Sequence, residues 1–96
     1  MDDNQYIIHI ANKLIDDYNS RYIIYCNKRY IDFHEFSKIL FNEYYDNKDI
    51  YKTMASHPVF SYNKNLYNLL NKKINYKIIT NQKINNRIYN YLILKL

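Results

Sequence analysis

Apolar residues in the first third of the chain change from a helical to an alternating spacing. From about residue 4 to 18 they recur every three or four positions: Tyr6, Ile7, Ile10, Ala11, Leu14, Ile15 and Tyr18. Residues 21–31 are rich in β-branched and aromatic side chains, and Asn27-Lys28 interrupts them. Asn tolerates the positive φ of a tight turn. This pattern predicts a helix over 4–18 and a β-hairpin near 21–31.

Helical spacing returns after the hairpin. Asp32 and Glu35 are spaced like a capping box, and an apolar stripe follows from Phe33 to Tyr44. We therefore predict a second helix over 33–46. Asp49 is placed to cap a short helix that His57-Pro58 closes, because the residue before proline leaves the helical region. Ser61 is placed to cap a further helix over 62–74.

The last twenty residues fit two structures. Ile84, Ile88, Tyr91 and Leu92 have helical spacing. Residues 76–80 and 87–94 fit two strands around a polar loop, Asn81–Asn86. Two adjacent asparagines are unfavourable within a helix, and the Ile and Tyr enrichment favours strands. A C-terminal hairpin is therefore preferred, with the helix as the alternative.

These elements predict an α+β fold for one small domain over 1–96, with three to four helices. The expected core is Ile7, Ile10, Leu14, Ile24, Phe36, Ile39, Leu40, Leu66, Leu69 and Leu70. With the C-terminal hairpin, the order of elements resembles that of a winged-helix DNA-binding domain. The resemblance is one of order alone. It implies that the 62–74 helix reads DNA and that Asn81–Asn86 forms the wing.

Charge divides the chain into two unequal halves. Residues 1–49 hold all nine carboxylates and six Lys or Arg, whereas residues 50–96 hold eight Lys or Arg and no carboxylate. The balances are −3 and +8. A uniformly positive surface attracts polyanions or an acidic protein face.

Composition narrows the classes of function. The chain has no Gly, so it contains no P-loop, no Rossmann fingerprint and no glycine-centred nucleophile elbow. Asn, Ile, Lys and Tyr make up 54 of the 96 residues. These residues have A/T-rich codons, which indicates a source such as a low-GC bacterium, its phages or a large DNA virus. The number of tyrosines alone therefore indicates no function.

The expected location is the cytoplasm. The N-terminus is acidic and polar, unlike a signal peptide, and the apolar run Tyr91–Leu94 is too short to span a bilayer. Cys26 is the one cysteine, which favours a reducing compartment and a buried, unpaired thiol. We expect no membrane association.

No catalytic or metal motif stands out. His9, His34, His57 and Cys26 lack the paired spacings of a zinc site. Glu35 and Lys38 are spaced one residue wider than the Glu-x-Lys of restriction-type nuclease cores. We expect no enzyme activity, no metal and no cofactor.

Basic residues near the C-terminus are the candidate binding site. Five of them cluster within sixteen positions, interleaved with two tyrosines: Lys72, Lys73, Lys77, Lys83, Arg87, Tyr76 and Tyr89. Lys and Arg neutralise phosphates, and Tyr stacks on exposed bases. The sequence predicts a non-catalytic nucleic-acid-binding protein, with DNA as the ligand.

A protein partner is the alternative. A basic face also fits the acidic groove of a host protein that handles nucleic acids, and tyrosines are frequent at interface hot spots. The chain would then be a phage or mobile-element inhibitor of the anti-CRISPR kind. A homodimer that joins the acidic half of one copy to the basic half of another is also left open.

Overall fold

The computed structural model describes residues 3–46 and 58–95, in which three α-helices and a four-stranded antiparallel sheet form a small α+β domain. The helices are α1 (Asp3–Asp16), α2 (Phe33–Asp46) and α3 (Asn63–Leu70), and a 3₁₀ turn covers Pro58–Phe60. The strands are β1 (Ile23–Tyr25), β2 (Lys28–Asp32), β3 (Lys77–Ile84) and β4 (Arg87–Lys95). The helix predicted after Asp49 lies outside the described residues.

Helix α1 buries residues of its predicted apolar stripe and ends two residues before the predicted end at residue 18. Ile7, Ile10, Ala11 and Ile15 are buried. The last carbonyls of a helix have no partner within the helix. Here the Lys95 ammonium donates to the carbonyls of Ile15 and Asp16. The end of β4 thus fixes the end of α1.

Helix α2 begins where its capping residue predicts. The Asp32 carboxylate accepts a hydrogen bond of 3.1 Å from the backbone N–H of His34. Phe33, Phe36, Leu40 and Tyr44 are buried. The prediction that Ile39 is core is wrong, since it lies beside this stripe and is 37% exposed.

Helix α3 is shorter than the predicted 62–74. Leu66 and Leu70 are buried. Asn71 leaves the helix with ψ 124°, and Lys72 then takes φ 64°. The cap is Tyr62, without a side-chain hydrogen bond, so the predicted cap at Ser61 is wrong.

The first hairpin turns one residue earlier than predicted. Cys26 and Asn27 both have positive φ, as a type I′ turn requires. Tyr25 therefore pairs with Lys28. Cys26 is exposed at this turn, which corrects the expectation of a buried thiol. Ile24 is 60% exposed on the short edge strand β1, so its predicted place in the core is also wrong.

The C-terminal residues form a hairpin, not the alternative helix. Asn85 and Asn86 both have positive φ, and they form a turn much shorter than the predicted Asn81–Asn86 loop. Asn81 also has positive φ, within β3. Asparagine thus replaces glycine wherever the backbone of this hairpin enters the left-handed region.

The sheet order β1-β2-β4-β3 places the first hairpin against the last strand. Ile31 pairs with Ile93, which pairs with Ile78, and this row contacts the buried side chains of the helices. A smaller cluster of Tyr30, Ile84 and Leu92 forms a second core. No helix in the described part of the chain is long and apolar enough to cross a bilayer.

Candidate functional site

The structure separates the predicted site residues into two groups. Lys72, Lys73, Tyr76 and Lys77 lie around the start of β3, whereas Lys83, Arg87 and Tyr89 lie near the turn of the β3–β4 hairpin. The six steps along the strand from Lys77 to Lys83 span about 20 Å. One compact cluster of all seven is therefore not formed.

Positive charge converges at one end of the sheet. Arg29 of β2 pairs with Lys95 of β4, and Lys77 of β3 pairs with Leu94. Strand spacing places the Cα atoms of Lys28 and Lys77 about 12 Å apart. We call Lys28, Arg29, Lys72, Lys73, Lys77 and Lys95 the basic sheet end.

The binding site predicted from the sequence omits half of the residues of the basic sheet end. Lys28 and Arg29 are distant from the predicted cluster along the chain and belong to its acidic half, whereas Lys95 follows Tyr89 by six positions. The available signal was that Lys28 belongs to the predicted turn and Arg29 follows it. Only the pairing of β2 with β4 shows which residues they meet.

Two of these cations are held by contacts within the fold. The Lys95 ammonium lies 2.9 Å from the Asp16 carbonyl oxygen and 5.9 Å from the centre of the Tyr76 ring. The Arg29 guanidinium lies 5.1 Å from the centre of the Tyr22 ring. Both side chains therefore help to join the sheet to the end of α1.

Tyr76 belongs to the same junction. Its hydroxyl donates a hydrogen bond to the Asp16 carboxylate. This bond, with lesser effects of desolvation and of the Asp16 charge, raises the pKa of Tyr76 to about 12. The ring is half-buried against the main core. Its stacking on a nucleic-acid base stays a prediction, and its structural role is to anchor α1.

The remaining lysines of the basic sheet end face solvent. Lys28, Lys72, Lys73 and Lys77 are exposed, and their ammonium groups form no hydrogen bond or ion pair within residues 3–46 and 58–95. Solvated cations of this kind can neutralise nucleic-acid phosphates and release the counterions that were condensed on the nucleic acid.

Charges of both signs surround the hairpin tip. A cleft of about 310 Å³ lies between the loop after α1, the start of α2 and β4. We call it the tip cleft; its lining is Tyr18, Ser20, Arg21, Tyr22, Ile23, Asp32, Glu35, Arg87 and Tyr89. Carboxylates of the acidic half thus border Arg87.

Contacts between aromatic rings and their neighbours hold the side chains that line the tip cleft. The Arg87 guanidinium lies 4.8 Å from the centre of the Tyr89 ring. The Tyr18 and Tyr22 rings meet edge to face at 5.2 Å. Burial raises the pKa of the Tyr18 hydroxyl, and the nearby Glu35 charge acts in the same direction.

A second, more apolar groove of about 570 Å³ lies between α2 and α3. His34 and Ser37 line it, but the Ser37 hydroxyl donates to the His34 backbone carbonyl at 2.7 Å. The His34 Nδ1 lies 3.2 Å from the Asn63 amide nitrogen. This geometry provides no serine activated by histidine.

Metal-binding groups are dispersed in the part of the chain that the structure describes. Residues 3–46 and 58–95 bring together no group of three or more His, Cys, Asp or Glu side chains suited to a metal ion. His57 lies outside these residues. The expectation of a metal-free protein stays a prediction.

Neither protein-family models nor the curated proteins nor solved structures give a match to this chain. Its function is therefore inferred from its own residues.

Proposed function

We propose that this chain is a non-catalytic DNA-binding protein that contacts phosphates through its basic sheet end. One observation supports this most directly. The pairing of β2 with β4 brings Lys28 and Arg29, from the acidic half of the sequence, to the same end of the sheet as Lys77 and Lys95. Cations from distant parts of the chain thus meet at one end of the sheet.

The exposed lysines are suited to phosphate contact. Lys28, Lys72, Lys73 and Lys77 form no ion pair within the described residues, so their charge is available to a ligand. Such contacts are salt-dependent and carry little sequence information. The hairpin tip, about 20 Å away along β3, would lie roughly six base pairs further along a duplex.

A winged-helix arrangement is the finer form of this proposal. The chain runs through α1, the first hairpin, α2, α3 and the second hairpin, and this order supports the likeness without any shared sequence motif. In that arrangement, α3 would contact DNA through its exposed residues Lys64, Asn65 and Asn68. The basic sheet end, in contrast, requires no contact from α3.

Paired substitutions test the proposal. Lys28→Gln with Lys77→Gln should weaken binding to a labelled DNA duplex roughly tenfold, because two phosphate contacts are lost. The matched control is Lys38→Gln with Lys64→Gln, on α2 and α3. Fluorescence anisotropy measures both affinities.

The outcomes separate the two arrangements. If the control pair weakens binding as much as the sheet-end pair, the winged-helix contact by α3 gains support over the basic sheet end. If the wild-type protein binds no DNA at low salt, the proposed function is wrong.

An inhibitor of a host nucleic-acid-handling protein is the second candidate. Its specific support is at the first turn, where exposed Ile24 and Tyr25 lie beside Lys28. An apolar and aromatic patch with a basic rim is typical of protein interfaces. Ile24→Ser should then abolish a nuclease-resistant complex captured from the source cell, while DNA binding is unchanged.

A further inference from the structure

We propose that the tip cleft is a subsite for one unpaired nucleotide, and that guanine is the base it prefers. This inference rests on the proposed function, because it names the class of DNA that the chain would engage. The cleft combines charged groups, hydrogen-bonding capacity and aromatic walls.

The cleft is suited to a ligand with both an anionic group and hydrogen-bond donors. Arg21 and Arg87 are balanced there by Asp32 and Glu35. Phosphate alone would not favour a site with two carboxylates. A duplex keeps the donors of its bases in base pairs, whereas an unpaired nucleotide presents a phosphate and a free Watson–Crick edge together.

Arg87 is preorganised for the phosphate. Its guanidinium lies over the Tyr89 ring, 4.8 Å from the ring centre, and this contact limits the positions that the guanidinium takes. Its N–H groups make no hydrogen bond within residues 3–46 and 58–95. A flat, held guanidinium can present two parallel donors to one phosphate group.

Glu35 is the acceptor for the base. One oxygen of Asp32 already accepts the His34 N–H that begins α2. The Glu35 side chain is exposed and has no hydrogen bond within the described residues. A carboxylate accepts two parallel donors, which the N1–H and N2–H of guanine supply. Thymine offers one N–H between two carbonyl oxygens, which repel a carboxylate.

Tyrosines fix the remaining walls before a ligand binds. The Tyr18 hydroxyl donates to the Arg21 carbonyl at 3.0 Å, and the Tyr22 hydroxyl donates to the Tyr18 carbonyl. Their rings are therefore held in place, which lowers the entropic cost of binding. The cleft of about 310 Å³ is at the small end of ligand pockets, as a single nucleotide requires.

Short oligonucleotides test this inference. A labelled thymidine strand of about ten nucleotides is compared with the same strand carrying one central guanine. We expect the wild-type protein to bind the guanine strand about tenfold more tightly, because one bidentate base contact is gained. Inosine in the same place lacks the N2 amino group and should give an intermediate affinity.

Glu35→Gln should abolish the preference for guanine and leave the affinity for the thymidine strand unchanged or higher. Glu43→Gln, the same change two turns further along α2, is the control and should keep the preference. Thermal unfolding followed by circular dichroism checks that both variants fold. The inosine comparison needs no variant, so it tests the subsite even if Glu35→Gln does not fold.

The outcomes distinguish this inference from the proposed function. Equal affinity of the wild-type protein for guanine, inosine and thymidine strands would overturn the subsite. Duplex binding lost in the Lys28 and Lys77 variant would still support the basic sheet end. Retention of the guanine preference by Glu35→Gln would overturn the role of Glu35. Binding to neither strands nor duplex would overturn both proposals.

Discussion

Backbone conformation at single residues explains how a chain without glycine makes its turns. Six of the residues that the structure describes have positive φ, and four of them are asparagines: Asn27, Asn81, Asn85 and Asn86. That asparagine would serve this purpose was predictable from composition. The exact residues were not, because a shift of one position places Cys26 within the first turn and exposes its thiol.

Lys72 is, with Cys26, one of two described residues other than asparagine whose backbone is in the left-handed region. It has φ 64°, where a non-Gly residue other than Asn or Asp is disfavoured. Lys72→Asn should raise the free energy of unfolding by roughly 0.5–1 kcal/mol, as measured by urea denaturation. Lys73→Asn is the control, since Lys73 is not among the residues with positive φ. An equal gain in both variants would contradict this explanation.

Tyr76 should titrate later than an ordinary tyrosine. Its pKa of about 12 in the folded protein lies above the ordinary tyrosine value of 10.0, so folding favours the neutral hydroxyl. The stability this gives is complete below pH 10 and is lost as the pH rises through about 12. In a tyrosinate absorbance titration, the difference between wild type and Tyr76→Phe should show one group with a pKa of about 12. A difference centred near 10 would contradict the hydrogen bond to Asp16.

At the scale of elements, helical periodicity predicted α1 and α2 well. Their buried stripes match the three- and four-residue spacing of the apolar residues. The end of α3 was not predictable from this spacing, because Ile74 continues the stripe although the backbone leaves the helix at Asn71. Burial of Ile74 after the helix has ended depends on tertiary packing.

Neighbouring residues of α2 provide a direct test of its orientation. Leu40 is fully buried and Ile39 is 37% exposed. Leu40→Ala should lower the free energy of unfolding by about 2–5 kcal/mol. Ile39→Ala should cost well under half of that, because its site already contacts water. Urea denaturation of both variants gives the comparison, and similar losses would contradict the observed face of α2.

Strand β3 gives its lysines a second role. It is an edge of the sheet, with β4 as its one neighbour among the described strands. Lys77, Lys83 and the positive φ of Asn81 all discourage pairing with another chain. Some basic residues of the C-terminal half therefore protect an edge as well as attract a ligand.

At the scale of the whole molecule, the antiparallel pairing of the strands decides where charged residues lie more than their position in the sequence does. The sequence showed an acidic half and a basic half. Strand pairing moves Lys28 and Arg29 to the basic sheet end, whereas Asp32 and Glu35 border Arg87 at the hairpin tip. The basic surface could be predicted only in part, because antiparallel pairing decides which residues from distant segments meet.

The salt dependence of DNA binding tests the basic sheet end most directly. The triple variant Lys28→Gln, Lys73→Gln and Lys77→Gln leaves out Lys72, because the backbone of Lys72 is in the left-handed region and its substitution could change stability as well as charge. We expect the slope of log affinity against log salt concentration to fall in magnitude by about three, since each lost phosphate contact contributes about 0.9. A control variant with glutamine at Lys13, Lys38 and Lys64 should keep the wild-type slope. Equal slopes in the two variants would contradict the assignment of DNA binding to the basic sheet end.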